Sequence, residues 1–157
     1  MEPMKSILAL VLLLASCSTA SNVITDEFPE AHLELREAVA QIGQDAMEGN
    51  LEGLAAAHLN SSKFSKFGPR SFERQGLAVA NDSEASFFGS IENLEYQVHD
   101  LKIDVLGDVA VVTYYPHVSF TKDGVRNEGS GRQTFVFLDT PSGWKIVHEH
   151  GTSKIVD

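Results

Sequence analysis

Apolar residues recur first with the three-to-four-residue spacing of helices and later with the alternation of strands. Over 28–48, Leu35, Val39, Ile42 and Ala46 form one stripe, the pattern of a helix buried along one side. Asp26, Glu27 and Glu30 sit near its positive start, and Gly49-Asn50 supplies a stop. A second short helix is expected over 51–59. After a loop over 60–69, with Phe64 and Phe67 as candidate anchors, a third helical segment covers 71–88, weakened by Gly76 and Asn81-Asp82-Ser83.

The second half is a strand meander. Strands over 94–106, 109–121, 132–139 and from 144 onward are separated by Gly107-Asp108, Lys122-Asp123-Gly124 and a turn over 140–143. In the first of them the apolar phase slips from Leu94, Tyr96 and Val98 to Leu101, Ile103 and Val105. That slip requires a bulge near His99-Asp100, and bulges bend sheets. Helices followed by antiparallel strands argue an α+β fold, with N-terminal helices packed on a strongly curved antiparallel sheet that leaves a cone-like space between the layers.

Strict alternation in the last strand puts Trp144, Ile146, His148, His150 and Thr152 on one face, and Lys145, Val147, Glu149 and Gly151 on the other. Lysine and glutamate resist unpaired burial, so the face with Trp144 and Ile146 is expected inside, carrying both histidines into the cavity. On the preceding strand Arg132 and Thr134 share a face, and the short turn makes that strand the hairpin neighbour.

The N-terminus bears on location. Lys5 precedes the apolar run 7–13 and then Leu14-Ala15-Ser16-Cys17, the pattern of a secretory signal ending in a lipobox. Met4 offers a cleaner start than Met1, because Glu2 spoils the positive leader. The expected organisation is a signal peptide over 1–16, a lipidated Cys17 with a polar tether over 17–25, and one domain over 26–157. Cys17 is the only cysteine, so no intramolecular disulfide is possible. Resemblance to bacterial lipoproteins implies acylation of Cys17, and Ser18 after it implies an outer-membrane address facing the periplasm. The net charge of −10 is unchanged by removing 1–16, which takes one Glu and one Lys. Such a domain repels phosphate backbones and anionic headgroups, so nucleic acid is not an expected partner and the membrane is reached through lipid alone.

The stretches Gly107-Asp108-Val109-Ala110-Val111-Val112, Gly131-Arg132-Gln133-Thr134-Phe135 and Gly143-Trp144-Lys145-Ile146-Val147-His148-Glu149-His150 resemble the SnoaL-like domains of the nuclear transport factor 2-like superfamily. They are especially similar to the branch containing the association domain of calcium/calmodulin-dependent protein kinase II. The resemblance covers about 30–153 and implies a cystatin-like roll. It does not imply one activity, because the superfamily includes isomerases, cyclases, dehydratases, epoxide hydrolases and proteins that only bind or assemble.

If Arg132 faces inward, as the resemblance implies, it converges with a histidine on a small carboxylate or other oxyanion. The alternative is pairing with Glu128, Asp104 or solvent. His148 and His150 are candidate ligand-binding residues and, in an enzyme, candidate general bases, with Arg132 stabilising an enolate. They could equally be a core pair bonded to Thr134, Tyr115 or backbone, or two ligands of a zinc site completed by His117. His32, His58 and His99 lack a spacing that forces convergence. Tyr115 is a further ligand-binding candidate, although Ala110, Val112, Tyr114, Val118 and Phe120 form the more apolar set on its strand. No aspartate aligns with the catalytic carboxylates of the superfamily's isomerases or epoxide hydrolases. No metal or cofactor is expected.

The expectation is an envelope lipoprotein binding a small polar or anionic organic ligand through Arg132, Thr134, Tyr115, His148 and His150. The alternatives are an isomerase-, cyclase- or hydrolase-type enzyme using a pocket histidine, and an assembly module. A homodimer through the sheet is expected, with Gln133, Phe135 and Phe137 on the paired, outer face.

Overall fold

A computed structural model describes residues 22–155. The expected signal peptide and Cys17 lie outside the described residues. Residues 22–25, expected as tether, form a turn in which the Asn22 carbonyl accepts from the amides of Thr25 and Asp26. Among the described residues no helix is long and apolar enough to cross a membrane.

The order is α1 (Pro29–Glu48), α2 (Leu51–Ala57), β1 (Ser65–Phe67), α3 (Leu77–Phe88), β2 (Glu92–Leu106), β3 (Val109–Lys122), β4 (Val125–Leu138) and β5 (Lys145–Ile155). The five strands form one sheet in the order β1-β5-β4-β3-β2, antiparallel except that β1 runs parallel to β5. The α+β architecture is therefore as expected, with one strand more. Helix α1 buries Leu35, Val39 and Ala46, as its stripe predicts, and Gly49 closes it in the left-handed conformation (φ 67°). The third helix starts at Leu77 rather than near 71, because Gly76 stands in extended conformation just before it (φ −86°, ψ 176°). Asn81-Asp82-Ser83 does not end it: the Ser83 hydroxyl donates to the Ala80 carbonyl within the helix.

Of three register shifts in the sheet, the one between Glu92 and Glu95 lies at the start of β2 and the other two shape the sheet beside the site. The first of these two shifts the β2–β3 register between His99 and Lys102, with Asp100 in the left-handed region (φ 51°), as the phase slip predicts. The second shifts β4–β5, where Val136 faces His148 but Phe137 faces Ile146. Val147 is the extra residue, and the inward phase passes from Ile146 to Glu149 instead of His148.

This second bulge inverts the face expected for the last strand. Ile146 is 1% exposed and Glu149 8%, whereas His148 is half-buried and His150 exposed on the outer face. Strand β4 is inverted with it: Phe135 and Phe137 belong to the core, and Arg132 lies exposed on the outer face. The expectation that Phe135 and Phe137 form an outer interface is thereby corrected. On β3, Ala110, Val112, Tyr114 and Phe120 are buried, and Tyr115 points out, 47% exposed. Phe64 anchors its loop in the core, whereas Phe67 is exposed.

These faces predict unequal costs of truncation. Phe137→Ala should destabilise the domain by about 3–5 kcal/mol in urea unfolding, and Arg132→Ala by no more than about 0.5 kcal/mol. Equal losses would mean that the strand faces are assigned the wrong way round.

Candidate functional site

Four ionisable side chains from four elements meet between the helices and the sheet. His58 follows α2 in extended conformation (φ −77°, ψ 146°) and bridges to Ile146, which carries the chain alongside β5 and its ring inside. Lys66, the middle residue of β1, is the register partner of Glu149 on β5. Adjacent strands send such partners to the same face, and here it is the buried one. Asn81 and Glu84 stand three apart on α3 and so share a helix face.

The contacts are mutual. Lys66 Nζ donates to Glu84 Oε1 and lies 2.9 Å from Glu149 Oε1. His58 Nε2 lies 3.4 Å from Glu149 Oε2 and 3.7 Å from Glu84 Oε1, while its Nδ1 lies 2.8 Å from the Asn81 side-chain oxygen. With Nδ1–H donating to Asn81, a neutral imidazole would turn its Nε2 lone pair toward two carboxylates, so the protonated ring is favoured. Gln133 on β4 donates to Glu149 Oε1 at 3.2 Å. Gly151 leaves room for that glutamine, since a Cβ there would fall 2.8 Å from Gln133 Oε1.

Burial and pairing oppose each other in this cluster. Burial alone would lower His58, but Glu149, Glu84 and Asn81 outweigh it and raise its pKa above the ordinary 6.5. For Lys66, too, the two carboxylates overcome burial and hold the ammonium above its ordinary value. The carboxylates separate. Burial pushes Glu149 up, but His58 and Lys66 more than reverse this and leave it below 4.5. Burial raises Glu84, Lys66 offsets it only in part, and the charge of Glu149 adds to the rise, so Glu84 stands above 4.5. Glu149 holds more partners and keeps its charge; Glu84 is the carboxyl readier to take a proton.

His58, Glu84 and Glu149 also form the one group of side chains among the described residues spaced to hold a metal ion. The place between their oxygens is taken by the Lys66 ammonium, so a cation would have to displace it.

The cluster forms one wall of a cavity of about 500 Å3. The remaining wall is mainly apolar, including Leu54, Phe87, Phe88, Pro116, Val118 and Phe120. Tyr96 and Tyr114 line it as a hydroxyl pair 2.8 Å apart. Burial pushes Tyr96 up to about 12 and Tyr114 well above its ordinary value, so both act as neutral hydrogen-bonding groups.

Arg132, Thr134, Tyr115, His148 and His150 do not line this cavity. Thr134 sits opposite His150 on the outer face. There His148 Nδ1 bonds Ser65 Oγ at 2.9 Å, and the Phe67 ring meets both His148 and His150 edge-on, at 5.8 and 5.9 Å. His117 packs against His99 at 4.6 Å instead of joining His148 and His150. The sequence reading missed His58, Lys66, Glu84 and Glu149. One available clue was the apolar pair Phe135 and Phe137, which demands an inward face for the alternate set on β4, Gln133 included, and thus for Glu149, the register partner of Phe135 on β5.

The pKa directions fix a pH dependence. His58, raised in the fold, contributes stability that is complete below 6.5 and lost as pH rises through its folded value. Glu84, raised from 4.5, acts with the same sign. Glu149 acts oppositely, its contribution present above 4.5 and lost as pH falls through its folded value. Urea unfolding should therefore show stability declining as pH rises past 6.5, with a shallower decline in His58→Gln. An identical slope in the two proteins would remove His58 from this account.

Residues 35–155 match the SnoaL-like domain family. Among solved structures, an NTF2-like protein from Streptomyces avermitilis, provisionally called a dehydratase, superposes with a TM-score of 0.73 at 19% identity, covering 82% of this chain and 99% of that one. An NTF2-like superfamily protein from Salmonella enterica gives 0.72 at 20% identity, covering 79% and 91%. An NTF2-like protein with a cystatin-like fold from Novosphingobium aromaticivorans gives 0.63 at 19%, covering 82% and 84%. These likenesses establish the fold alone. No curated protein matches the chain. With its family match spanning most of the chain, the protein belongs to the SnoaL-like domain family.

Proposed function

We propose that this protein is an envelope lipoprotein whose cavity binds a small, mainly apolar organic molecule, with the molecule's polar end against the wall formed by His58, Lys66, Glu84 and Glu149. The observation that carries the reading is the cavity itself: about 500 Å3, mainly apolar, with the ionic cluster among its polar lining, a size and composition typical of ligand sites. The polar half of the sequence expectation is kept. The anionic half loses the support of Arg132, which stands outside, and the two cations of the cluster face two carboxylates; Arg70, Glu128 and Lys154 also line the cavity. The lipid anchor at Cys17, the outer-membrane address, the kinship with the kinase association-domain branch and a homodimer through the outer face of the sheet belong to the same reading.

Catalysis is the second reading, and one observation favours it. Glu84 lines the cavity with its carboxyl raised toward the range useful for proton transfer. It would replace His148 and His150 as the acid–base group.

Native mass spectrometry of the protein recovered from its source cells should show a retained small-molecule mass. Val118→Trp, which fills the cavity from β3, should lose that mass, and Arg132→Ala should keep it. Loss in Arg132→Ala alone would restore the site expected from the sequence and sink this one. Chemical conversion of the released molecule by wild type but not by Glu84→Gln would move the assignment to catalysis.

The anchor has its own test. Cys17→Ser should abolish incorporation of labelled fatty acid and release the protein from membranes; a variant that stays acylated would exclude Cys17 as the anchor.

A further inference from the structure

Most of the cavity's polar lining is already satisfied or faces elsewhere. Lys66 and His58 are engaged by Glu84 and Glu149, Gln133 donates to Glu149, and Tyr96 is bonded to Tyr114. Ser71 and Ser83 are bonded within their own loop and helix, and the Asn127 amide donates to the Val125 carbonyl. The Gln75 side-chain oxygen is unpaired but enclosed. By alternation Glu128 and Ser130 belong with Arg132 to the outer face of β4, and Thr152 and Lys154 with His150 to that of β5. That leaves Ser153, a neutral hydroxyl, and the Arg70 guanidinium.

Arg70 is exposed and stands in the loop over 68–76 that joins β1 to α3. Its guanidinium carbon lies 4.0 Å from the centroid of the Phe87 ring, itself part of the cavity wall. Phe88 and Phe120 pack beside that ring, with centroids 5.2 and 5.5 Å away. Stacking occupies one face of the guanidinium and leaves its N–H donors, which lie in the plane, free at the edge. Among the described residues no carboxylate pairs with Arg70. Candidates were not scarce in a chain with 22 acidic residues against 12 basic ones.

The loop is fixed where it leaves the sheet. Lys66 and Gln75 exchange two backbone hydrogen bonds of 2.9 Å across its base, and the Ser71 hydroxyl accepts from the Glu73 amide at 3.2 Å. A Cβ on Gly151 would lie 3.7 Å from the Pro69 ring, so the loop also rests on β5. His58 and Lys66 are balanced by Glu84 and Glu149, and Lys154 by Glu128, so Arg70 leaves the lining with one uncompensated positive charge.

We propose that Arg70 is a specificity-determining residue of the cavity and receives a carboxylate. The ligand is an amphipathic carboxylic acid, its apolar body against Phe87, Phe88 and Phe120 and its carboxylate on the guanidinium edge at the open side. A planar carboxylate accepts two parallel N–H bonds from such a fork, which a hydroxyl does not. The net negative charge of the chain repels anions at a distance, so the selectivity arises in contact. This inference rests on the cavity-binding reading and adds to its inner polar contact the chemical class of the ligand's outer end.

Two probes on one skeleton carry the test: 2-naphthoate, an anion at neutral pH, and 2-naphthalenemethanol, the uncharged alcohol. In calorimetric titrations the wild-type protein should bind the naphthoate about tenfold or more tightly than the alcohol, the difference expected for a charge-assisted pair. Arg70→Gln should bring the two to equal affinity, keep the affinity for the alcohol and leave the urea midpoint unchanged. Arg70→Lys retains a charge without the fork and should fall between, while Lys154→Gln should keep the wild-type preference. A preference absent from wild type, kept in Arg70→Gln or lost in Lys154→Gln would overturn the role of Arg70 and leave the cavity as a binding site. So would a loss shared equally by both probes in Arg70→Gln, the mark of a residue that only holds its loop against Phe87. Binding of neither probe would overturn the cavity reading, and this inference with it.

Discussion

The interior of this domain is organised around one lysine shared by two carboxylates. Lys66 comes from a three-residue strand, Glu84 from a helix and Glu149 from the last long strand, so their meeting ties the edge of the sheet to the helical layer. A buried ammonium is tolerable only with its partners in place, and each carboxylate only with the ammonium. The short strand β1, α3 and β5 are thereby held to one arrangement. The hydrogen bonds of β1 to β5 and to Gln75 set the position of the lysine along the sheet.

The cavity follows from this constraint together with the bulges. The irregularity in β2 near Asp100 and the one in β5 at Val147 bend strands that would otherwise lie flat against the helices. The helices close one side of the resulting space. The second bulge has a further consequence, because the residue it inserts decides which side chains of β5 reach the interior. With Val147 inserted, Glu149 faces Lys66 and His58, and the two histidines of the same strand stand outside beside Phe67.

The elements were largely legible in the sequence; the site was not. The stripe of Leu35, Val39, Ile42 and Ala46 announces α1, and the glycine-centred turns announce the ends of the long strands. The phase slip around His99 announces the first bulge because three apolar residues stand on each side of it. The second bulge leaves no such record. After Ile146 the strand reads Val147, His148, Glu149, His150, and an apolar-inside rule then prefers histidine to glutamate at the buried position. What reverses that preference is a lysine 83 positions earlier in the chain, in a segment too short to show alternation. Burial of Glu149 is thus a long-range fact, set by pairing rather than by local pattern. Asn81 shows the same limit: as a helix-weakening residue it argued against α3, whereas in the fold it fixes the orientation of the His58 ring.

Apolar residues of similar volume in place of the ionic cluster would give a core at least as stable, since pairing seldom recovers the full cost of removing charges from water. They would also erase part of the polar lining of a mainly apolar cavity. With two carboxylates on one ammonium, one of them must be held less well, and it is Glu84 whose pKa rises. Nearby, the oxygen of Gln75 stays unpaired. Glu84 and Gln75 both line the cavity. By linkage, a molecule bound in this cavity would stabilise the arrangement that Lys66 holds together.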